Sequence, residues 1–417
     1  MDRIIVNGGH RLRGEVVISG AKNAALPILI SSLLTDEPNV YKNVPALKDV
    51  KSTLILLHHL GAAGERSDDV VTIDASGLNN HDAPYDLVRK MRASVLVLGP
   101  LLARLKRARV SLPGGCAIGE RPINLHLRGL SQLGADIHLE HGYVEAETSG
   151  LRGAEIYLDV PTVTGTENLM MAAALADGTS VIRNAAREPE VMALARTLNL
   201  MGADIRDAGS SVITINGVPR LHGATVDIIP DRIEAGTFMV AAAVTHGDIT
   251  LKNCDPSHMA ACINKLRLAG VHVETKENEV RVNGTGPIHS IDIKTQPYPG
   301  FPTDMQAQFM VLMAVADGLS VISENIFENR FIHVGELKRM GADITVSGNS
   351  ALIRGMPYLS GAPVMASDLR ASASLILAGL VAGGRTEIHR VYHLDRGYQR
   401  IEEKFARLGA DMQRVRG

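Results

Sequence analysis

A short phrase, Leu-Gly-Ala or Met-Gly-Ala with small variations, returns six times along the chain. Its glycines are Gly61, Gly134, Gly202, Gly270, Gly341 and Gly409, and successive glycines are 73, 68, 68, 71 and 68 residues apart. Self-similarity at a nearly fixed period is the signature of a repeat architecture, and six units of about 70 residues span nearly the whole chain. The repeat therefore constrains the fold more than any other feature of the sequence.

Each unit is predicted to contain strand, strand, strand, helix, strand and helix, in that order. The phrase follows helix-like stretches such as 191–200 and 332–340, and its glycine stands where a helix C-cap favours a left-handed residue. Alternating runs such as 212–215 and 225–228 predict strands, and the stretch 233–244 predicts an Ala-rich helix. Helices that are apolar nearly all round suit burial. We therefore predict an α+β fold with helices inside and sheets outside.

The ends of the chain predict how the units are joined. The sixth unit stops soon after Gly409 and lacks its next two strands, whereas the first 18 residues contain a strand pair with no preceding phrase. We therefore predict two domains of three units each. One spans residues 21–229, and the other joins residues 230–417 to residues 1–20.

Composition excludes several classes of protein. The 417 residues include 43 Lys and Arg against 45 Asp and Glu, so no basic field indicates a nucleic-acid partner. Cys116, Cys254 and Cys262 match no zinc spacing, which predicts reduced thiols, a cytosolic-type compartment and no structural metal. Cys254 and Cys262 are interpreted as structural. The apolar stretches are short and interrupted, so we expect neither a signal peptide nor a membrane span.

Phosphate-binding loops of the common cofactor enzymes are missing from the sequence. No Walker loop and no Gly-x-Gly-x-x-Gly opens a predicted helix. An ATP-dependent or dinucleotide-dependent enzyme is therefore not indicated, and we expect no cofactor.

Six turns enter the Ala-rich helices, and several of them carry a Lys or Arg. Helix N-termini offer unpaired N–H groups and a partial positive charge, so cations gathered there predict a site for an anionic substrate. Any single one of these cations could instead be solvated or paired with a local carboxylate. The turns lie at residues 19–23, 89–92, 162–167, 230–232, 301–304 and 367–370.

The loop at 111–122 differs from the other turns. It holds three glycines and two prolines around Cys116, with Arg121 close by in sequence. A glycine-rich loop can present a thiol to substrate, and a neighbouring cation can favour its thiolate. The alternative is that Cys116 is a small buried apolar residue.

Four motifs, in order and at near-identical spacing, resemble those of UDP-N-acetylglucosamine 1-carboxyvinyltransferases, which are also called enolpyruvyl transferases. They occupy residues 19–27, 112–122, 301–308 and 395–398, and the resemblance extends over essentially the full chain. It implies a two-domain inside-out α/β barrel, with the active site in the cleft between the domains.

The resemblance also implies a reaction. The enolpyruvyl group of phosphoenolpyruvate is transferred to the 3′-hydroxyl of UDP-N-acetylglucosamine, and phosphate is released by addition and elimination. This is the first committed step of peptidoglycan synthesis, so the resemblance implies a cytoplasmic enzyme needed for the cell wall, cell shape and cell division. Transfer to shikimate 3-phosphate and a non-catalytic nucleotide-sugar-binding paralogue are the alternatives. We expect a monomer without nucleic-acid or membrane partners.

By resemblance, Cys116 is the proton donor, Asp304 accepts the proton of the sugar hydroxyl, and Lys22 and Arg396 also act in catalysis. A thiol at 116 further implies alkylation by fosfomycin, and the loop around it is expected to act as a lid when the domains close. Asp368 accompanies Arg370 and is counted among the implied substrate-binding residues. It either holds the arginine-rich side in register or is a plain helix cap. The turn at 161–168 departs from the family's Ser-Val-Gly-Ala-like phrase, so its assignment is left open. The implied phosphoenolpyruvate ligands are Lys22, Arg121, Arg330, Arg370 and Arg396, and the implied nucleotide-sugar ligands are Asn23, Arg92, Arg121, Pro122, Ile123, Asn124, Leu125, Asp304 and Ile326.

Overall fold

The computed structural model describes residues 2–89, 91–112 and 123–417. Within these residues the strands are β1 Arg3–Asn7, β2 Arg13–Val17, β3 Asn39–Lys42, β4 Ala63–Ser67, β5 Val70–Asp74, β6 Asp82–Ala83, β7 Arg107–Ser111, β8 Asp136–Glu140, β9 Tyr143–Glu147, β10 Glu155–Tyr157, β11 Thr179–Arg183, β12 Asp204–Arg206, β13 Val212–Asn216, β14 Thr225–Asp227, β15 Asp248–Lys252, β16 His272–Lys276, β17 Glu279–Asn283, β18 Ile293–Lys294, β19 Leu319–Ser323, β20 Asp343–Ser347, β21 Ser350–Arg354, β22 Pro363–Met365, β23 Arg385–His389 and β24 Asp411–Val415.

Helices alternate with these strands. The α-helices are α1 Lys22–Ser31, α2 Lys48–His59, α3 Tyr85–Val88, α4 Leu98–Leu105, α5 Asn124–Gln132, α6 Val163–Ala173, α7 Pro189–Leu200, α8 Arg232–Val244, α9 Ala260–Leu268, α10 Gln306–Ala314, α11 Val334–Arg339, α12 Leu369–Val381 and α13 Ile401–Arg407. Short 3-10 helices are Ser32–Leu34, Arg92–Val97, Pro256–Met259, Thr303–Met305 and Val391–Arg396.

The contacts divide the described chain into two compact units. The first unit contains residues 20–89, 91–112 and 123–229, and the second contains residues 2–19 and 230–417. Each unit has a hydrophobic core of its own, built mainly from Leu, Ile, Val, Ala and Met.

Each unit contains three four-stranded sheets of one design. In the first unit the strand orders are β14-β3-β5-β4, β6-β7-β9-β8 and β10-β11-β13-β12, and in the second they are β16-β17-β15-β2, β18-β19-β21-β20 and β22-β23-β1-β24. Every sheet has one parallel pair at one edge, such as β10 with β11, and antiparallel pairs in the rest. This repetition confirms the predicted order of strands and helices in a unit.

The central helices lie beneath these sheets. All nine residues of α10 are buried, and so is every residue of α8 except Arg232. In the second unit α8, α10 and α12 pack against one another. Apolar side chains on every face of a helix require such an environment, because any exposed face would leave apolar area in water. The predicted arrangement of helices inside and sheets outside is therefore confirmed.

In the described parts of the chain, the sequence passes from one unit to the other at two places, and there the strand pairing is exchanged. Elsewhere the strand before a central helix pairs with the strand after it, as β10 does with β11. By contrast, β14 pairs with β3, and β2 pairs with β15. The changeovers fall between residues 19 and 20 and between residues 229 and 230.

The strand β1, near the start of the chain, is an inner strand of the sheet β22-β23-β1-β24, whose other strands come from the end of the chain. In β1, Asn7 lies opposite Arg385 of β23 on one side and Asp411 of β24 on the other. The side-chain amide of Asn7 also donates to Asp411 Oδ2 at 2.9 Å. Residues from both ends of the sequence thus form one sheet.

Candidate active site

In each unit, predicted site residues lie where the chain enters the central helices. Lys22 is the first residue of α1, Arg92 opens a 3-10 helix that leads into α4, and Asp304 lies in the 3-10 turn that leads into α10. Arg370 is the second residue of α12. Because the sheets cover the flanks of these helices, their N-terminal ends are the places where polar side chains meet.

In the second unit, Asp304 lies between two buried arginines. Arg330 Nη2 donates to Asp304 Oδ1 at 2.8 Å, and Arg370 Nη2 donates to Asp304 Oδ2 at 2.7 Å. The two arginine side chains are 4% and 5% exposed, whereas the Asp304 side chain is 25% exposed. The fold thus brings together residues that are 26 and 66 positions apart in sequence.

The two arginines determine the charge state of Asp304. Burial by itself would raise the pKa of the Asp304 carboxyl, but the charges and hydrogen bonds of Arg370 and Arg330 outweigh burial and hold that pKa well below its usual range. Burial likewise would lower the pKa of Arg370, and the neighbouring Asp304 carboxylate raises it instead. Asp304 is therefore a carboxylate at neutral pH and Arg370 a cation.

Each arginine also has a second terminal nitrogen, Nη1, that takes no part in the contact with Asp304. Nη1 of Arg330 and Nη1 of Arg370 are buried and have no hydrogen-bond partner among the described residues. A buried charged N–H group without a partner is costly, and a carboxylate or phosphate oxygen is its best acceptor. Arg330 and Arg370 are therefore the candidates in this unit for holding an anion next to the Asp304 carboxylate.

Asp368 is the N-cap of the helix that carries Arg370. Its Oδ1 accepts from the backbone N–H of Arg370 at 2.9 Å and from that of Ala371 at 3.1 Å. The sequence left two roles open for Asp368, and the structure shows the cap. The cap fixes the first turn of α12, and with it the backbone from which Arg370 extends.

A buried polar cluster behind Arg370 was not predicted as part of the site. The Tyr398 hydroxyl and Thr237 Oγ1 are 2.9 Å apart, and Gln308 Nε2 donates to Thr237 Oγ1 at 3.2 Å. The guanidinium carbon of Arg370 lies 5.5 Å from the centre of the Tyr398 ring. These residues come from α8, α10 and the stretch after β23, so no local pattern in the sequence could have identified them as a group.

Two further predicted residues of the second unit lie in shorter elements. Arg396 ends the 3-10 helix Val391–Arg396 and is half-buried. Ile326 is 36% exposed, and its N–H donates to Glu324 Oε1 at 2.8 Å in the stretch that follows β19. Phe327, the next residue, places its ring 5.2 Å from the guanidinium carbon of Arg330.

In the first unit, Lys22 forms an ion pair with a residue that was not predicted. Lys22 Nζ lies 2.9 Å from Asp49 Oδ2, and the two side chains are 14% and 3% exposed. Asp49 belongs to the first turn of α2, and α1 packs against α2. Asn23 follows Lys22 in α1 and is half-buried. Because the pair joins two different helices, the sequence carried no local signal for Asp49.

Arg92 lies close to a buried histidine. His126 is 2% exposed, its Nδ1 is 3.1 Å from Asn168 Nδ2, and its Nε2 is 3.3 Å from Thr164 Oγ1. Burial first, and then the charge of Arg92, lowers the pKa of His126 to about 3. The ring is therefore neutral at pH 7, and it accepts from the Asn168 amide at Nδ1, so its proton is on Nε2. This cluster ties α5 to the 162–167 turn.

The remaining predicted residues divide between described and undescribed parts of the chain. Ile123 is buried before α5, Asn124 is exposed and Leu125 is half-buried. Cys116, Arg121 and Pro122 lie outside the described residues, so their roles stay predictions.

The other two cysteines are buried. Cys254 and Cys262 are 1% and 2% exposed. Burial raises the pKa of the Cys254 thiol to about 11 and that of the Cys262 thiol to about 12. Both are therefore protonated at neutral pH and shielded from solvent, which agrees with a structural role.

The described residues offer neither a metal site nor a membrane-spanning helix. In the parts of the chain that the structure describes, no three His, Cys, Asp or Glu side chains are grouped so that they could hold a metal ion. Likewise, none of the helices in those parts is long and apolar enough to cross a membrane.

Comparison with known proteins gives full-length matches. The family model described as EPSP synthase (3-phosphoshikimate 1-carboxyvinyltransferase) matches residues 6–405. The UDP-N-acetylglucosamine 1-carboxyvinyltransferase of Desulfosudis oleivorans is 68% identical over 415 residues, and that of Desulfatibacillum aliphaticivorans is 66% identical over 416 residues. Each of these matches covers 100% of both proteins.

Solved structures match the fold. The enolpyruvyl transferase NikO from Streptomyces tendae is 26% identical, has a TM-score of 0.89 and is matched over 99% of both chains. An EPSP synthase from Acinetobacter baumannii, at 20% identity and a TM-score of 0.78 over 100% of both chains, supports the fold alone. The predicted enolpyruvyl transferase fold is confirmed. With the site geometry, the family match and the full-length identities together, the chain belongs to the EPSP synthase family and, within it, to the UDP-N-acetylglucosamine 1-carboxyvinyltransferases.

Proposed function

We propose that the protein transfers the enolpyruvyl group of phosphoenolpyruvate to the 3′-hydroxyl of UDP-N-acetylglucosamine and releases inorganic phosphate. In the addition step the methylene carbon of phosphoenolpyruvate gains a proton, and the sugar oxygen bonds to the adjacent carbon. In the elimination step the methyl carbon loses a proton and the carbon–phosphate oxygen bond breaks. The product is an enolpyruvyl ether, which makes the protein an enzyme of peptidoglycan precursor synthesis.

One observation carries this proposal: a carboxylate is held by two buried arginines whose second terminal nitrogens are also buried. An acid substrate whose carboxylate binds the guanidinium groups of Arg330 and Arg370 would lie beside Asp304, which both arginines already contact. Phosphoenolpyruvate has a carboxylate that fits two such donors, and its phosphate is left for other cations. Lys22, Arg121 and Arg396 are proposed to receive the phosphate.

Asp304 is proposed to be the base that takes the proton of the sugar hydroxyl. When no substrate anion is bound, the positive charges of both arginines act on Asp304 alone. The resulting low pKa makes Asp304 a weak base. An anion on the other sides of the same two guanidinium groups offsets part of their positive charge, so the Asp304 pKa rises. The base therefore becomes effective when phosphoenolpyruvate is in place.

The first unit is proposed to bind the nucleotide sugar. Asn23, Arg92 and residues 121–125 supply amide, cationic and apolar groups suited to a diphosphate and a uracil ring. The Lys22–Asp49 pair would hold the Lys22 ammonium in place until an anion arrives.

Cys116 is proposed to be the proton donor of the addition step and the target of fosfomycin. Fosfomycin alkylates a thiol, so incubation should add one inhibitor mass to the protein. Cys254 and Cys262 serve as internal controls because they are buried and their thiol pKa values are raised. Full activity and no adduct after incubation would overturn the assignment of Cys116.

Further parts of the proposal concern the protein in the cell. We place it in the cytoplasm as a monomer that needs no metal or cofactor, and we expect its loss to affect the cell wall, cell shape and division.

The test is phosphate release from phosphoenolpyruvate with UDP-N-acetylglucosamine, and separately with shikimate 3-phosphate, without added metal. Asp304→Asn and Cys116→Ala are expected to lower kcat by roughly 10²–10⁴-fold, the usual contribution of a general acid or base. Asp248→Asn is the matched control, because Asp248 also binds an arginine at two points but lies on β15, away from the turns that enter the central helices.

The outcomes separate the possible functions. Phosphate release with the nucleotide sugar alone supports the proposal. Release with shikimate 3-phosphate alone would assign the sister activity. Binding of the nucleotide sugar without turnover of either acceptor by the folded protein would leave a non-catalytic paralogue.

A further inference from the structure

The stretch that carries Arg396 is held by ion pairs from outside the site. We infer that Arg414, three residues from the end of the chain, is a positioning residue for Arg396, and that it acts through Asp395. This inference rests on the proposed function, in which Arg396 contacts the phosphate of phosphoenolpyruvate.

Arg414 holds two separate elements at once. It lies on β24, its Nη1 and Nη2 both donate to the carboxylate of Asp395, with Nη1 to Oδ2 at 3.1 Å, and its Nε donates to Glu402 Oε1 at 2.6 Å. The side chains of Arg414, Asp395 and Glu402 are 21%, 22% and 13% exposed. A two-point arginine–carboxylate pair that is mostly shielded from water fixes orientation as well as distance.

Asp395 is the residue directly before Arg396 in the 3-10 helix Val391–Arg396. Val391 and Leu394, three positions apart, are each 1% exposed and form the buried face of this helix. In a 3-10 helix successive side chains diverge by about 120°, since there are three residues per turn. Clamping the Asp395 side chain therefore limits rotation of the helix about its buried face, and so sets the direction of Arg396.

The same stretch is fixed on its other side. Gly397 packs so closely on Leu369 of α12 that an added Cβ would lie 2.5 Å from Leu369 Cδ2, and Tyr398 is hydrogen-bonded to Thr237. Arg390 and Arg400, which flank the stretch, have left-handed backbone φ values of 58° and 46°. Arg396 thus lies between an inner attachment at Tyr398 and an outer one at Arg414.

Arg414 extends from β24, an edge strand of its sheet, whose five residues all pair with β1. Arg414 lies opposite Ile4 of β1, and β1 is the second strand from the edge of its sheet. Loss of the clamp should let Arg396 shift without unfolding the sheet. Misplacement of a substrate-positioning group by about 1 Å can cost as much as 10²-fold in rate.

The experiment compares Arg414→Gln, Asp395→Asn and the double variant with the wild type. We expect KM for phosphoenolpyruvate to rise on the order of tenfold in each single variant, within that limit, whereas KM for UDP-N-acetylglucosamine stays unchanged. The double variant should be no worse than either single variant, because both remove one interaction. Arg414→Lys, which retains the charge but not the fork, should recover part of the loss.

Arg281→Gln is the matched control. Arg281 on β17 binds Asp248 at two points, with Nε–Oδ1 and Nη2–Oδ2 distances of 3.0 and 2.9 Å, but this pair joins two strands of one sheet and holds no site residue. It should leave both KM values at wild-type level. Equal effects of Arg281→Gln and Arg414→Gln, or parallel changes in both KM values with a lower Tm, would overturn the inference.

Equilibrium binding of phosphoenolpyruvate in the presence of UDP-N-acetylglucosamine separates this inference from the proposed function. If the wild type binds phosphoenolpyruvate but releases no phosphate, the proposed reaction is wrong, and a tenfold weaker Kd in Arg414→Gln still supports the positioning role. If the wild type does not bind phosphoenolpyruvate, both are overturned.

Discussion

Arg330 and Arg370 both stabilise the carboxylate form of Asp304, so removal of one arginine should change the pKa of Asp304. In Arg330→Gln, Asp304 keeps its burial and only one cation, and its pKa should rise toward the ordinary range. Because protonation of the proposed base lowers activity, the acidic limb of the pH profile of kcat/KM should move to higher pH. Measurement of kcat/KM from pH 4 to 8 checks this. An unmoved acidic limb would mean that Asp304 is not the group that titrates.

His126 should make the protein sensitive to acid. Its folded-state pKa is about 3, whereas a histidine in the unfolded chain titrates near 6.5, so between these values the unfolded state binds more protons. The free energy of unfolding should therefore be at its full value above pH 6.5 and fall as the pH drops toward 3, by up to about 1.4 kcal/mol per pH unit.

Urea unfolding at pH 7 and pH 5 tests this effect. His126→Gln should reduce the loss of stability between the two pH values, and His138→Gln, at a side chain that is 70% exposed, should not. His333, whose pKa is lowered to about 4 by burial, should retain its own share of the acid sensitivity in both variants. Identical pH dependence in His126→Gln and the wild type would contradict the prediction.

Single residues of the site were predictable only where the resemblance supplied them. The resemblance implied Asp304, Arg330 and Arg370, and in the structure both arginines contact Asp304. Neither the spacing of these residues nor their types predicts which of their atoms are in contact. Asp49 was missed because its partner lies on another helix. Ion pairs between elements depend on packing, which a local sequence pattern does not encode.

At the scale of elements, Gly217 directly after β13 and Gly355 directly after β21 explain how closely a sheet can approach the end of a central helix. An added Cβ at Gly355 would lie 1.5 Å from the carbonyl oxygen of Ala316, just after α10, and at Gly217 it would lie 1.7 Å from that of Ala176, just after α6. Both contacts are with backbone, which cannot rotate away. The sheet can sit this close to the helix end only where no side chain intervenes.

Gly355→Ala should therefore destabilise the protein. Forcing the strand and helix apart costs about 1–3 kcal/mol, as overpacking does elsewhere, and Tm should fall. Gly335→Ala is the matched control, since a Cβ there meets nothing within 4 Å and α11 should gain about 0.5–1 kcal/mol from the better helix former. A Tm of Gly355→Ala at or above that of the wild type would show that the close approach relaxes freely.

The order of the strands and helices was predictable from the repeat. The residues at which each element begins and ends, and the strands that pair with one another, were harder to predict. Helix α7 begins at Pro189, two residues before the predicted stretch, and α11 covers 334–339 inside the predicted 332–340. The exchange of β2 and β14 between sheets was not foreseen, because equivalent strands in a repeat have similar patterns and nothing local selects a partner.

At the scale of the whole molecule, the two units each have a core and should respond separately to damage. Removal of residues 2–7 takes β1 out of the sheet β22-β23-β1-β24 and leaves β23 and β24 without their shared partner. We expect loss of hydrogen-exchange protection in the second unit and retained protection in residues 20–229. Removal of residues 416 and 417, which follow β24, should leave both protected. Equal loss across both units would contradict the proposal of two domains.

The place of β1 also has a consequence for synthesis on the ribosome. Asn7 and its partner Asp411 are 404 residues apart, so at roughly 5–20 residues per second β1 waits roughly 20–80 s for its neighbour to be made. Residues 20–229 are continuous in the chain and can complete their core during that interval. The opening segment, Ile4-Ile5-Val6 included, stays unpaired throughout, which makes it the natural substrate of a chaperone that binds short apolar stretches on nascent chains.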